Sequence, residues 1–155
     1  MIKILFIWIL QDLLQTLTMG LCIIPDFFLM SIIYLALTSN SNKERQITLI
    51  WIAFIGGLFW DLRWTNLPGL TAAINGGMVA LSCFLWEKTP AQGRSVGMFV
   101  FLLVCTQVFS RLINLIFWTI PSQVAFRQLI VQLLLSVPII VILSFFYWKA
   151  YDRRV

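Results

Sequence analysis

Gly56-Gly57-Leu58-Phe59-Trp60-Asp61-Leu62-Arg63-Trp64-Thr65-Asn66-Leu67-Pro68-Gly69-Leu70 joins two long apolar stretches of the chain. It places an aspartate and an arginine where two membrane-crossing helices would meet in a tight turn. Charges so close to hydrocarbon are costly, so such residues mark paired or functional positions.

The surrounding composition supports that setting. Of 155 residues, 61% are hydrophobic and 11% charged, whereas a soluble domain carries about 25% charged residues. Most of the surface is therefore expected to face lipid, in one transmembrane domain covering 1–155. The net charge of +5 is expected to reflect loops rather than a nucleic-acid surface, because cytoplasmic loops of membrane proteins collect Lys and Arg. Cys22, Cys83 and Cys105 show no C-x-x-C spacing, which argues against a disulfide framework or a metal site. The chain has no histidine, which removes imidazole ligands and bases. Met1-Ile2-Lys3 runs into an apolar stretch without a small-residue cleavage site, which reads as a retained span.

Crossing a membrane takes about 20 mostly apolar residues. Segments 2–19, 21–38, 46–62, 68–86, 96–118 and 122–148 meet or approach that length, predicting an all-α bundle of six transmembrane helices. The second is short, and a re-entrant second segment would leave five spans. Lys3, Lys43, Arg45, Lys88, Arg94, Lys149, Arg153 and Arg154 cluster at the N-terminus, the second and fourth loops and the C-terminus. The positive-inside rule then puts both termini in the cytoplasm, in agreement with an even span count. Trp86 and the Tyr147-Trp148-Tyr151 group read as inner interface anchors, and Trp60, Trp64 and Trp118 as outer ones. The connecting loops are too short to hold a soluble domain.

Polar residues recur at helical spacing. Gln107, Arg111 and Asn114 share one face of the fifth span; Gln128, Gln132 and Ser136 share one of the sixth; Gln11, Gln15 and Thr18, with Asp12 beside them, share one of the first. Polar faces in lipid turn toward protein or a water-filled cavity. They serve either interhelical hydrogen bonding or a ligand path.

The third and fourth spans carry small residues instead: Ala53 and Gly57; then Gly69, Ala73 and Gly77; then Ala72, Gly76 and Ala80. Small residues four apart let helix backbones approach closely. Two rows on adjacent faces exceed what one hairpin uses, so one row is expected to meet a partner's membrane helix.

In this topology Asp26, Asp61, Arg63, Arg111 and Arg127 all fall in the outer half. Pairing offsets the cost of such charges, and Asp61 is expected to pair with Arg63, Arg111 or Arg127. The alternative is that Asp61 or Arg63 caps a helix end or reaches the interface. Pro68 and Pro25 suit the first turns of the fourth and second helices, with Asp26 complementing the dipole of the second. Pro121 precedes the sixth helix, and Pro138 inside it predicts a kink.

Pro25-Asp26 opening an early helix, Gly57-Leu58-Phe59-Trp60-Asp61-Leu62, and then Pro68-Gly69-Leu70 resemble the bacterial rod shape-determining protein MreD family. The resemblance covers nearly the whole chain. Phe59-Trp60-Asp61-Leu62-Arg63-Trp64 is more aromatic than in many members, and Pro68-Gly69 approximates the usual segment.

The resemblance implies a non-enzymatic scaffold without a cofactor, in the bacterial inner membrane. It belongs to the elongasome, which directs side-wall peptidoglycan synthesis and maintains cell shape. The implied partner is the transmembrane helix of MreC; through it come MreB filaments, RodA and a class B penicillin-binding protein. The implied fold is that of the substrate-binding subunits of energy-coupling-factor transporters. A vitamin-binding subunit, with Asp61, Arg111 and Gln107 lining an outward cavity, is thus the rival function. With no histidine, no paired intramembrane aspartate motif, and no Ser or Cys beside a base, no catalytic set is apparent. The structural and partner-binding candidates are Asp26, Asp61, Arg63, Pro68, Gly69, Ala72, Gly76, Gly77, Ala80, Arg111 and Arg127.

Overall fold

A computed structural model describes residues 2–18, 24–38, 42–65, 68–117 and 122–152. The readings placed on Cys22, Asn66, Trp118, Pro121, Arg153 and Arg154, and on the side chains of Asn114 and Tyr151, lie outside what it describes. Six α-helices are present among the described residues: α1 (Ile2–Leu17), α2 (Phe27–Thr38), α3 (Lys43–Trp64), α4 (Leu70–Lys88), α5 (Val96–Phe117) and α6 (Ser122–Asp152). A single 3-10 turn, Ala91–Gly93, separates α4 from α5.

Local chemistry sets several helix ends. Asn42 caps α3 by accepting from the Arg45 N–H, with Glu44 in the first turn and Arg63 in the last, each suited to its end of the helix dipole. Gly69 precedes α4 with φ +96°, a conformation that side-chain-bearing residues rarely adopt. Thr89 closes α4 through its N–H to Leu85 O, and Pro90 cannot continue the helix.

α2 is apolar around its whole circumference and forms the centre of the bundle, touching α1, α3, α4 and α6. Leu29, Met30, Ile32 and Ile33 are fully buried. At the end where α2 finishes, Phe99 stacks on Tyr147 with centroids 4.5 Å apart, while Trp86 meets Tyr147 edge-on at 5.9 Å. Trp86 and Tyr147 are thus core residues rather than interface anchors. Their rings fill the gap where α4, α5 and α6 converge, while Trp148 remains exposed. The α3–α4 and α5–α6 hairpins are antiparallel: Asp61 at the end of α3 meets Gly69 at the start of α4, and Gln107 and Arg111 of α5 meet Gln132 and Gln128 of α6 in reverse order.

The distribution of polarity is inverted relative to a soluble protein. Phe6, Trp51, Phe59, Phe101, Leu134 and Val141 are exposed, whereas Gln11, Asp12, Asp61, Asn75, Gln107 and Gln132 are buried. An apolar exterior around a polar interior is what lipid selects, and exposed apolar surface this extensive is rare on soluble monomers. α3, α4, α5 and α6 are long and apolar enough to cross a membrane. α1, with 16 residues, and α2, with 12, are shorter than the six-span reading assigns them. At 1.5 Å per residue α2 covers about 18 Å of a hydrocarbon core near 30 Å. Among the described residues the chain is therefore an all-helical membrane protein with four full-length candidate spans and a short central helix.

Candidate functional site

The turn between α3 and α4 is organised by one carboxylate. Asp61 is fully buried. Its Oδ2 accepts from the Gly69 N–H at 2.9 Å and the Ala72 N–H at 3.2 Å, and its Oδ1 accepts from the Thr65 hydroxyl at 3.1 Å. Gly69 has no side chain with which to cap α4, so a residue from the preceding helix supplies the acceptor. A carboxylate there also meets the positive end of the α4 dipole. The expected pairing of Asp61 with Arg63, Arg111 or Arg127 is corrected, and the capping alternative holds. Pro68 is likewise not the first residue of α4: it lies in the turn, and Gly69 takes the position before the helix.

Arg63 pairs with Asp12 of α1, Nη1 to Oδ2 at 2.6 Å. Trp64 Nε1 donates to the other oxygen of Asp12 at 2.9 Å, and the Arg63 guanidinium lies 5.6 Å from the Trp64 ring centroid. Asp12 is the functional partner that sequence reasoning overlooked. Its place beside Gln11 at the start of the first polar stripe was the available signal.

Asp26 stands immediately before α2. Its Oδ1 accepts from Gln11 Nε2 at 3.0 Å and from the Leu29 N–H at 3.5 Å, while Gln11 Oε1 accepts from the Phe28 N–H at 2.7 Å. Asp26 and Gln11 together cap α2, and Pro25 lies one residue further back than the predicted first turn. Gln107 of α5 closes on the same segment: its Oε1 accepts from the Asp26 N–H at 3.4 Å and from Gln132 Nε2 at 3.4 Å. One glutamine from each of the three predicted polar stripes, Gln11, Gln107 and Gln132, thus joins a hydrogen-bonded layer at the start of α2. Arg111 reaches Gln128 Oε1 at 2.6 Å through Nη2, whereas Arg127 is exposed and does not join this layer.

The small-residue rows of α4 are directed mainly to two different surfaces. A Cβ built on Gly57 would lie 2.6 Å from Ala72 Cα and 2.7 Å from Ala72 N, so the α3 and α4 backbones touch there. Ala53, Ala72 and Gly76 are buried in this contact, with Gly76 against Phe54. Of the partner-binding candidates, Ala72 and Gly76 are therefore consumed by the hairpin. The row Ala73–Gly77 remains exposed, and nothing lies within 4 Å of a Cβ on Gly77. Together with Gly76 and half-buried Ala80 of the other row it floors an apolar groove of about 390 Å³ walled by Ile50, Trp51 and Phe54. A second apolar groove, about 480 Å³, runs between α1 and α3 beside Trp8 and Phe59.

Among the described residues no group of three or more His, Cys, Asp or Glu side chains is placed to hold a metal ion. Comparison with protein-family models, curated proteins and solved structures gives no match. The geometry offers two surfaces with functional content: the charge-free α3–α4 groove, and a hydrogen-bonded polar layer around the start of α2.

Proposed function

We propose that this chain is a non-enzymatic membrane scaffold of the MreD type, holding a single-span partner of the MreC type within the bacterial inner membrane. The observation that carries the reading is the division of labour on α4. One small-residue row is spent on α3, and the adjacent one lies open in a groove without charge. Apolar helices associate in lipid where small residues let their backbones approach, so an open row of this kind suits a membrane helix. In this reading both termini face the cytoplasm, and the Asp61 and Asp12 turn end faces outward. The same reading assigns the bundle the architecture of energy-coupling-factor substrate-binding subunits, used to hold a docking face rigid. The partner then links the chain to MreB, RodA and a class B penicillin-binding protein.

The test is purification in mild detergent, followed by native mass spectrometry and sequencing of whatever is retained. The scaffold reading expects a stoichiometric chain with one membrane helix, a coiled coil and a β-rich domain. Gly77→Leu, which fills the groove without entering the Gly57–Ala72 contact, is expected to abolish that retention while leaving the bundle folded. A bound vitamin together with an ATPase module, and no such chain, would assign the transporter function instead.

A further inference from the structure

Two buried polar atoms between α5 and α6 have no hydrogen-bond partner: Arg111 Nε, a donor, and Gln132 Oε1, an acceptor. Gln132 is only 7% exposed. Each belongs to a rung joining the two helices, Arg111 Nη2 to Gln128 Oε1 at 2.6 Å and Gln132 Nε2 to Gln107 Oε1 at 3.4 Å. Four residues separate the rungs on both helices, so the unpaired donor and acceptor stand about 6 Å apart along the α5–α6 seam. The ion pair found among the described residues belongs to Arg63 and Asp12, and Asp26 is engaged by Gln11. Arg111 therefore carries a cation that nothing described neutralises, and buried polar groups left unpaired are costly.

The chemistry that satisfies both atoms is restrictive. Arg111 requires an anionic oxygen, for which its planar fork is suited. Gln132 Oε1 requires a donor one helical turn away. A bare phosphate or carboxylate serves only the first. An ammonium-bearing headgroup supplies a donor but brings a second positive charge toward the guanidinium. A phosphodiester carrying a glycerol hydroxyl serves both. The location agrees: Arg111 lies about 9 Å from the end of α5, within reach of a headgroup for a long cationic side chain. Exposed Leu112, Ile116, Phe126 and Ile130 on the same two helices offer apolar surface for acyl chains.

We infer that the α5–α6 seam opens to bind a phosphoglycerol group, with Arg111 on the phosphate and Gln132 accepting from a glycerol hydroxyl. The inference goes beyond the scaffold reading and does not depend on it, because its readout is lipid retention rather than a copurifying chain.

Native mass spectrometry of the full chain in mild detergent tests it. The chain is titrated with phosphatidylglycerol, with phosphatidylmethanol (the same diester without a hydroxyl), with phosphatidylethanolamine, and with free glycerol 3-phosphate. Wild type is expected to retain one phosphatidylglycerol, about fivefold or more tighter than phosphatidylmethanol or phosphatidylethanolamine. Arg111→Gln is expected to weaken it by about tenfold or more, and Arg111→Lys to recover part of the loss. Glycerol 3-phosphate displacing the lipid at equal concentration would make the source soluble; failure to displace it makes the source the membrane. Equal wild-type affinity for phosphatidylglycerol and phosphatidylmethanol, or no retained lipid or glycerol phosphate, would overturn the assignment even if Arg111→Gln failed to fold.

Discussion

Replacing Asp61 with Ala removes the acceptor for two backbone N–H groups and one hydroxyl in a site that water does not reach. Each buried donor left unsatisfied costs about 1–3 kcal/mol, and losing an N-cap costs about 0.5–2 kcal/mol, the two figures overlapping in what they count. The expected destabilisation is therefore about 2–5 kcal/mol. Asp61→Asn keeps one acceptor and caps a helix about as well as Asp, so it should lose less than half as much. Equilibrium unfolding in mixed micelles, followed by tryptophan fluorescence, measures both. A cycle with Arg111→Gln then separates capping from ion pairing. Because Arg111 bonds Gln128 and shares no partner with Asp61, the two effects should add within about 0.5 kcal/mol. An Asp61→Ala protein as stable as wild type, or a coupling above about 1 kcal/mol, would refute the capping argument.

Other perturbations have distinct expected sizes. Gly57→Ala drives a Cβ into the Ala72 backbone and should destabilise by about 1–3 kcal/mol in the same unfolding assay, whereas Gly77→Ala meets open space and should be neutral or stabilising by up to about 1 kcal/mol. Gln11→Leu strips the Phe28 N–H and Asp26 of their partner and should cost about 2 kcal/mol, read as earlier unfolding and faster amide exchange at the start of α2. Arg63→Ala should cost about 1 kcal/mol or less, because Arg63 is half exposed; Asp12→Ala should cost more, since Trp64 loses its acceptor as well.

Six helices were legible because apolar runs and short polar breaks are dictated by lipid, and the polar stripes pointed inward for the same reason. What the pattern could not supply was depth and facing. Segment 21–38 reads as a span by apolar content. The structure begins its helix only at Phe27, because the Phe27 N–H turns back to Pro25 O and Gln11 and Gln107 bond Asp26 ahead of the helix. The partner of Asp61 was misassigned because counting charges favours an arginine, whereas the choice depends on which face of α3 meets the start of α4. Trp86 and Tyr147 carry the composition of an interface belt, yet three converging helices leave a gap that only rings fill. The two α4 rows were correctly separated from the third-span pair Ala53 and Gly57, but which row was free depended on the helix rotation set by the Gly57–Ala72 contact.

The central claim is that the open Ala73–Gly77 face receives a partner's membrane helix. A photoreactive side chain placed at Ala73 or Gly77, with exposed Val141 of α6 as control, can be activated in living cells and the adduct sequenced. The account predicts a crosslink from Ala73 and Gly77, and none from Val141, to the membrane helix of one single-span protein carrying a coiled coil and a β-rich domain. Adducts only to lipid at all three positions would contradict it.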